Sequence, residues 1–301
     1  MKFGVFSVSL PEYEPKEAVK LLKEIGYDGV EWRVNDTKNP TSFVPEEKRN
    51  DYEFRYWVNN KATLDVNDIE AETRKIKEYC DEIGIEIFAL STYLKPEKYD
   101  ELVKVYKAAQ ENNIGMVRIG NVSLEPSYEK EKRSIKEILE KMKEELKPLV
   151  ELSKSTGVKS VIEIHMGTPL ASASAAYSML KDFDPNHIGV IVDPGNMVKE
   201  GYEEYRKVFE ILGDYVAHVH IKNGKYSPKD RDELGGLEYE FEWTPLKDGQ
   251  VNFKRLFEVI REVGYDKNFS VEDFSNEKNT KDKLEDNLDY LRKLKSYTNI
   301  N

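Results

Sequence analysis

The chain is poor in cysteine. Its 301 residues include one, Cys80, so no internal disulfide can form and a reducing compartment is expected. Cys80 lies in an amphipathic helical run and reads as a core residue, the usual place of a free cysteine. Histidine is nearly as scarce, with four in all and none before His165. No apolar run approaches the roughly 20 residues that cross a bilayer. The opening Met1-Lys2-Phe3-Gly4-Val5-Phe6-Ser7-Val8-Ser9-Leu10 is too short and too broken by serine for a signal peptide. The expectation is a soluble cytoplasmic protein without a membrane partner. Positive charge is also in deficit. Lys and Arg number 46 against 57 Asp and Glu, a net charge of −11, which argues against a nonspecific nucleic-acid surface. No P-loop is visible. No Gly-x-Gly-x-x-Gly turn follows the first apolar run, where the chain reads Ser7-Val8-Ser9-Leu10-Pro11, so a dinucleotide-binding open sheet lacks its phosphate turn.

What the chain does have is a recurring unit: an amphipathic helix, a glycine that ends it, then an apolar strand. Ala18–Ile25 leads through Gly26 to Gly29–Arg33, Ile69–Ile83 through Gly84 to Ile85–Leu90, and Leu102–Ile114 through Gly115 to Met116–Ile119. Ile135–Thr156 leads through Gly157 to Lys159–His165, and Phe253–Val263 through Gly264 to Phe269–Phe274. Glycine closes a helix in the left-handed conformation without a Cβ penalty. Lys2–Ser9, Ile188–Asp193 and Val216–Ile221 bring the strands to eight, and Ala171–Lys181, Tyr202–Leu212 and Lys281–Leu294 supply further helices. Alternating helices and buried strands make parallel β/α units. Eight of them predict an α/β fold, a single (β/α)8 TIM barrel over residues 1–301. Two connections are unusually long: Val34–Val66, with Phe43, Tyr52, Phe54, Tyr56 and Trp57, and Asn223–Gln250, with Trp243. They follow the second and seventh strands, so they belong on the C-terminal face, where these barrels carry their active sites.

Four ionisable residues stand at or near the C-terminal ends of short apolar runs: Glu163, Asp193, His220 and Glu272. A charged group in a buried strand costs several kcal/mol unless it is paired or bound to metal. Three carboxylates and one imidazole on consecutive strands suggest a site for one divalent metal. Oxygen-rich ligation favours Mn²⁺, Mg²⁺ or Co²⁺, with Zn²⁺ also accommodated.

The segments around these residues resemble the xylose isomerase-like TIM barrel superfamily of sugar phosphate isomerases and epimerases. The resemblance rests on Val192-Asp193-Pro194-Gly195-Asn196, on His218-Val219-His220-Ile221-Lys222-Asn223 and on Ser270-Val271-Glu272-Asp273-Phe274. Gly26–Trp32 and Pro245–Gly249 add to it. The resemblance implies that Glu163, Asp193, His220 and Glu272 bind one metal, and that Glu163 and Glu272 are also the catalytic acid/base pair. The implied activity is isomerisation or epimerisation of a sugar or sugar derivative by proton transfer through an enediolate. A metal-dependent dehydratase of the inosose or dehydroshikimate type is the alternative, and a sugar- or polyol-binding barrel without turnover a third reading. The implied partner is a small-molecule sugar or polyol, and a homo-oligomer is left open. Two positions depart from the ketose epimerases, Asn196 where some carry histidine and Tyr226 where they carry arginine. The endonuclease IV-like nucleases of the same fold need several histidines from early strands, which this chain lacks.

Other inward or strand-end groups are expected to bind substrate: Glu31, Arg33, Arg118, His165, Asn196 and Lys222. His165 lies two residues past Glu163 and points to the same side, nearer the mouth. His218 lies deeper than His220 and reads as a core residue or a support for the site. His187 follows a Pro-Asn turn and is expected on the surface.

Overall fold

The computed structural model describes residues 1–39, 44, 46–124 and 132–299. The strands in chain order are β1 (Phe3–Phe6), β2 (Gly29–Asn35), β3 (Thr63–Asp65), β4 (Glu86–Thr92), β5 (Met116–Ile119), β6 (Lys159–Glu163), β7 (Ile188–Val192), β8 (Val216–Ile221), β9 (Asn223–Arg231), β10 (Leu237–Thr244) and β11 (Phe269–Val271). The ring runs β1, β2, β4, β5, β6, β7, β8, β11, all parallel, and β1 closes it by pairing with both β2 and β11. It is a closed eight-stranded barrel surrounded by helices, and every expected strand is in it.

The helices are α1 (Pro15–Ile25), α2 (Ile69–Ile83), α3 (Tyr99–Glu111), α4 (Ile135–Thr156), α5 (Ala173–Leu180), α6 (Pro194–Lys199), α7 (Tyr205–Leu212), α8 (Phe253–Glu262) and α9 (Thr280–Tyr297). Their apolar stripes pack on the outward residues of the strands, as Val19 and Leu22 of α1 do with Val30 and Val5 in the main core. Gly26, Gly84 and Gly157 cap their helices with φ of 99°, 76° and 73°. Gly115 does not: α3 stops at Glu111 and Asn113 takes the positive φ of 54°. Asparagine tolerates that region because its amide can bond locally.

Both long connections, expected as loops, hold strands. The first carries β3, which pairs with β2 outside the ring; Phe43 lies outside the described residues. The second is an antiparallel hairpin of β9 and β10. Its signature was present: Leu237, Tyr239, Phe241 and Trp243 alternate with Glu238, Glu240 and Glu242, the period of a strand.

Inside the barrel the strands alternate. At the floor Val161, Ile191 and Ala217 form a small apolar cluster. Beside it Phe88 is turned inward by a register shift between β2 and β4. A Cβ at Gly4 would lie 2.4 Å from the Phe88 ring, and one at Gly29 would lie 2.3 Å from it. Phe88 therefore fits because its neighbouring strands have no side chain there. A second shift, between β7 and β8 at Ala217, lets Ala217 join the floor while His218 and His220 also face in. Such bulges re-aim side chains beside functional sites.

Candidate metal centre

Above the floor the inward positions become polar. Glu163 is the last residue of β6, Asp193 the first past β7, His220 the fifth of β8 and Glu272 the first past β11. These strands are neighbours in the ring, so the four residues line one arc. One ligand atom from each lies within 4.8 Å of all the others, and all four residues are buried. His220 Nδ1 lies 3.4 Å from Glu163 Oε1, 3.6 Å from Asp193 Oδ2 and 3.9 Å from Glu272 Oε2.

Each ligand is held from behind. Asp193 caps α6, its Oδ1 accepting from the Asn196 backbone N–H at 2.9 Å, which leaves Oδ2 toward the cluster. The His220 Nε2–H donates to Glu31 Oε2 at 3.0 Å, and the ring stacks on Phe6 with centroids 5.6 Å apart. With its proton on Nε2, a ligating His220 would turn the Nδ1 lone pair to the carboxylates, the carboxylate–histidine arrangement of metal sites. His220 Nδ1 and Asp193 Oδ2 are buried and make no hydrogen bond. Lys222 Nζ is 2.8 Å from that Oδ2, but as an ion pair outside hydrogen-bond geometry. Buried polar atoms are rarely left in this way, and three carboxylate oxygens around an orphaned imidazole nitrogen fit a divalent cation.

The electrostatics divide the two glutamates. Burial works against the Glu163 anion, yet Arg118, with Nη2 3.2 Å away, together with His220 and Lys222 holds its carboxyl well below the usual range. Burial pushes Glu272 up to about 7 against the pull of Lys222, aided by the negative charges of Glu163 and Asp193. Glu31, although fully buried, is held well below the usual range by His220 and His218.

The residues expected to bind substrate fall into different places. Glu31 meets His220 and His218, and Ser91 Oγ donates to it at 2.5 Å. Asn196 is turned to the cluster from below: its Nδ2 donates to Glu163 Oε1 at 2.9 Å and to Ile164 O at 3.2 Å. Both touch residues of the cluster. Lys222 also contacts Glu272 Oε2 and lies 5.0 Å from the Trp243 ring and 5.4 Å from Phe274. His165 is half-buried past Glu163, its Nδ1 bonded to Met166 O at 2.7 Å, and burial lowers its pKa. Arg33 donates to Thr63 Oγ1 at 2.5 Å and to the Trp57 carbonyl at 3.0 Å. His218 bonds Ser270 Oγ at 2.7 Å, and burial lowers its pKa against the pull of Glu31. His187 is half-buried, 4.0 Å from Asp184, whose carbonyl accepts from the His187 backbone N–H at 3.0 Å and closes the turn.

Sequence reasoning passed over Tyr93, whose ring lies 5.3 Å from the Arg33 guanidinium and 5.1 Å from that of Arg118. It follows Ser91 by two residues, so the alternation of β4 placed it inward. It also passed over Lys283 of α9, which donates to Tyr56 Oη at 2.9 Å, to Asp273 O at 2.8 Å and to Ser275 O at 3.1 Å. The two insertions meet the same ring: Trp57 from the first and Trp243 from the second pack on Phe274, with centroids 4.8 and 5.9 Å away.

Comparison with known proteins gives the lineage. Residues 19–294 match the family described as xylose isomerase-like TIM barrel, and the chain belongs to it. An inosose dehydratase of Lacticaseibacillus casei is 26% identical over 126 residues, 40% of this chain and 42% of the relative. The chain thus aligns with less than half the length of that curated relative. Among solved structures, a 3-keto-D-glucoside 4-epimerase from E. coli superposes with a TM-score of 0.68 at 16% identity, covering 97% of this chain and 99% of that one. A xylose isomerase-like TIM barrel protein from Mycobacterium smegmatis in complex with magnesium gives 0.65 at 16% identity, covering 99% and 97%. At these identities the structures speak for the fold.

Proposed function

We propose that this barrel is a divalent-metal-dependent enzyme that moves a proton on a carbon beside a carbonyl of a sugar or polyol derivative, as an isomerase or epimerase. The observation that carries the reading is the buried Glu163–Asp193–His220–Glu272 cluster, whose ligand-type atoms converge within 4.8 Å of one another. A divalent ion held by these four residues would supply Lewis acidity to a substrate carbonyl. Glu163 and Glu272 stand at the two ends of the ligand arc, on β6 and past β11, so they reach a substrate between them from different sides. Glu163, kept ionised by Arg118 and oriented by Asn196, is the base. Glu272, at the other end of the arc, returns a proton.

A second reading is dehydration, favoured by the inosose dehydratase relatives. There Glu272 gives its proton to a departing β-hydroxyl instead of to carbon. One experiment covers both. The Mn²⁺-loaded protein is incubated in D₂O with ketoses, inososes and dehydroshikimate, and Glu163→Gln and Glu272→Gln are run beside it. Deuterium in recovered substrate or its isomer is expected, or loss of water for the dehydratase. The Gln variants should retain metal and lose exchange by about 10²–10⁴-fold. Unchanged exchange in both would remove the glutamates from proton transfer.

A further inference from the structure

Lys222 stands among the ligand carboxylates. Its Nζ lies 2.8 Å from Asp193 Oδ2, touches Glu272 Oε2 and is 4.0 Å from Glu163 Oε1. All three residues belong to the cluster that could hold a metal. Lys222 is 2% exposed, so these contacts are made away from bulk water. The placement is built into the turn after Asp193. A Cβ at Gly195 would lie 2.8 Å from Lys222 Cγ and 2.8 Å from the Lys222 carbonyl oxygen. Gly195 has no positive φ, so the glycine is needed for space and not for its backbone freedom. The ammonium has a second set of neighbours. It lies 5.0 Å from the centroid of Trp243 and 5.4 Å from that of Phe274, within the range of cation–π attraction.

Distance alone sets the ammonium against a metal. A divalent ion sits about 2.0–2.2 Å from a carboxylate oxygen. With the ammonium 2.8 Å from Asp193 Oδ2, an ion on the same atom would be no more than about 5 Å from Nζ. Repulsion between buried charges is screened little by salt. One party can give way and the other cannot. Asp193 is fixed as the cap of α6, its Oδ1 accepting from the Asn196 N–H at 2.9 Å. The lysine ammonium is a point charge on a flexible four-carbon stem.

We propose that Lys222 is a built-in competitor of the metal: its ammonium and the divalent ion contend for Asp193 Oδ2 and Glu272 Oε2, and metal uptake turns the ammonium from these oxygens to the Trp243 and Phe274 rings. The inference rests on the metal-dependent reading above. It gives Lys222 two effects. The ammonium holds the affinity of the cluster down, which keeps the ion exchangeable. Its movement is also felt where the two insertions meet, because Trp57 of the first and Trp243 of the second both pack on Phe274.

The probes are Mn²⁺ and Mg²⁺ alone, so the test needs no substrate. By titration calorimetry at neutral pH, Lys222→Met and Lys222→Gln should bind Mn²⁺ about tenfold or more tighter than the wild type, since each removes the repelling charge. Lys222→Arg keeps the charge and should bind no tighter than the wild type. Lys222→Gln carries the comparison if Lys222→Met does not fold. A second readout needs no change at Lys222. Mg²⁺ should alter the tryptophan emission of the wild type in step with its binding, and Trp243→Phe should lose most of that change while still binding the ion. Equal or weaker metal binding by the Met and Gln variants would overturn the proposal. So would tighter binding by Lys222→Arg, or Trp243 emission that ignores the metal. Metal bound by none of these proteins would defeat the metal-dependent reading itself. Metal bound equally well by the wild type and Lys222→Met would leave that reading standing and defeat only the competition.

Discussion

The floor and the mouth of this barrel are built from the same strands and obey opposite rules. On β6, Val161 fills the floor and Glu163, two residues on, belongs to the metal cluster. On β2, Gly29 makes room for Phe88 and Glu31 holds His220. The floor is close-packed, so its side chains are fixed by shape. The mouth is fixed by charge, every carboxylate meeting an imidazole, an ammonium or a guanidinium. A change at the floor should therefore cost stability and spare the chemistry, and a change at the mouth the reverse, as expected for the two ends of such barrels.

The largest expected effect is at the mouth. Asp193→Ala should abolish stoichiometric metal, a loss beyond the ~10–100-fold typical of losing an outer-shell partner, with the circular dichroism of the barrel intact. Elemental analysis checks it, and metal at the wild-type level would mean that the ion binds elsewhere.

At the floor, Phe88→Ala should destabilise by about 3–5 kcal/mol and leave Mn²⁺ affinity nearly unchanged. Gly29→Ala alone should also be costly, since its Cβ would meet the Phe88 ring at 2.3 Å and the Glu86 carbonyl at 2.8 Å. In the Phe88→Ala background it should cost less, because only the carbonyl contact persists. Denaturant titration of the four proteins measures this coupling, and strictly additive effects would break the account of the floor.

Lys283 of α9 ties Tyr56 of the first insertion to the carbonyls of Asp273 and Ser275, just past β11. Lys283→Met should lose about 1–3 kcal/mol from the stranded acceptors. It should weaken substrate binding more than metal binding; the opposite order would show that the insertion does not shape the mouth.

Acid sharpens the comparison, because only the mouth titrates. Glu272 is raised to about 7 and His220 well above its ordinary value. Without metal, both favour the folded state while protonated. That contribution is complete below their unfolded pKa values and fades as pH rises through about 7 for Glu272 and higher for His220. Metal requires the deprotonated ligands, so the gap in Tm between Mn²⁺-loaded and EDTA-treated protein should widen from pH 5 to pH 8. A constant gap would contradict the ligand set. The smallest effect belongs to the hairpin tip, far from both regions. Leu234 there is 90% exposed, and shortening residues 232–236 to a two-residue turn should change stability by no more than about 0.5 kcal/mol.

By itself the sequence determined the eight strands, the helices between them, the positions of both insertions and the four ligand-type residues at strand ends. These are written in local periodicity: two for a strand, 3.6 for a helix, glycine or a polar group where either stops. A local pattern survives in the fold because it reports which face of one element is buried. Tertiary structure alone decided what faces what. It brought Asn196 to Glu163 and Glu31 to His220. It bound Arg33 to Trp57 and Thr63, 24 and 30 residues away. It joined Lys283 to Tyr56 across 227 residues, and it placed Phe88 and Ala217 inward through two register shifts that no periodicity announces. The reason is physical: a hydrogen bond or an ion pair is set by distance in space, and only closure of the ring makes distant inward positions neighbours.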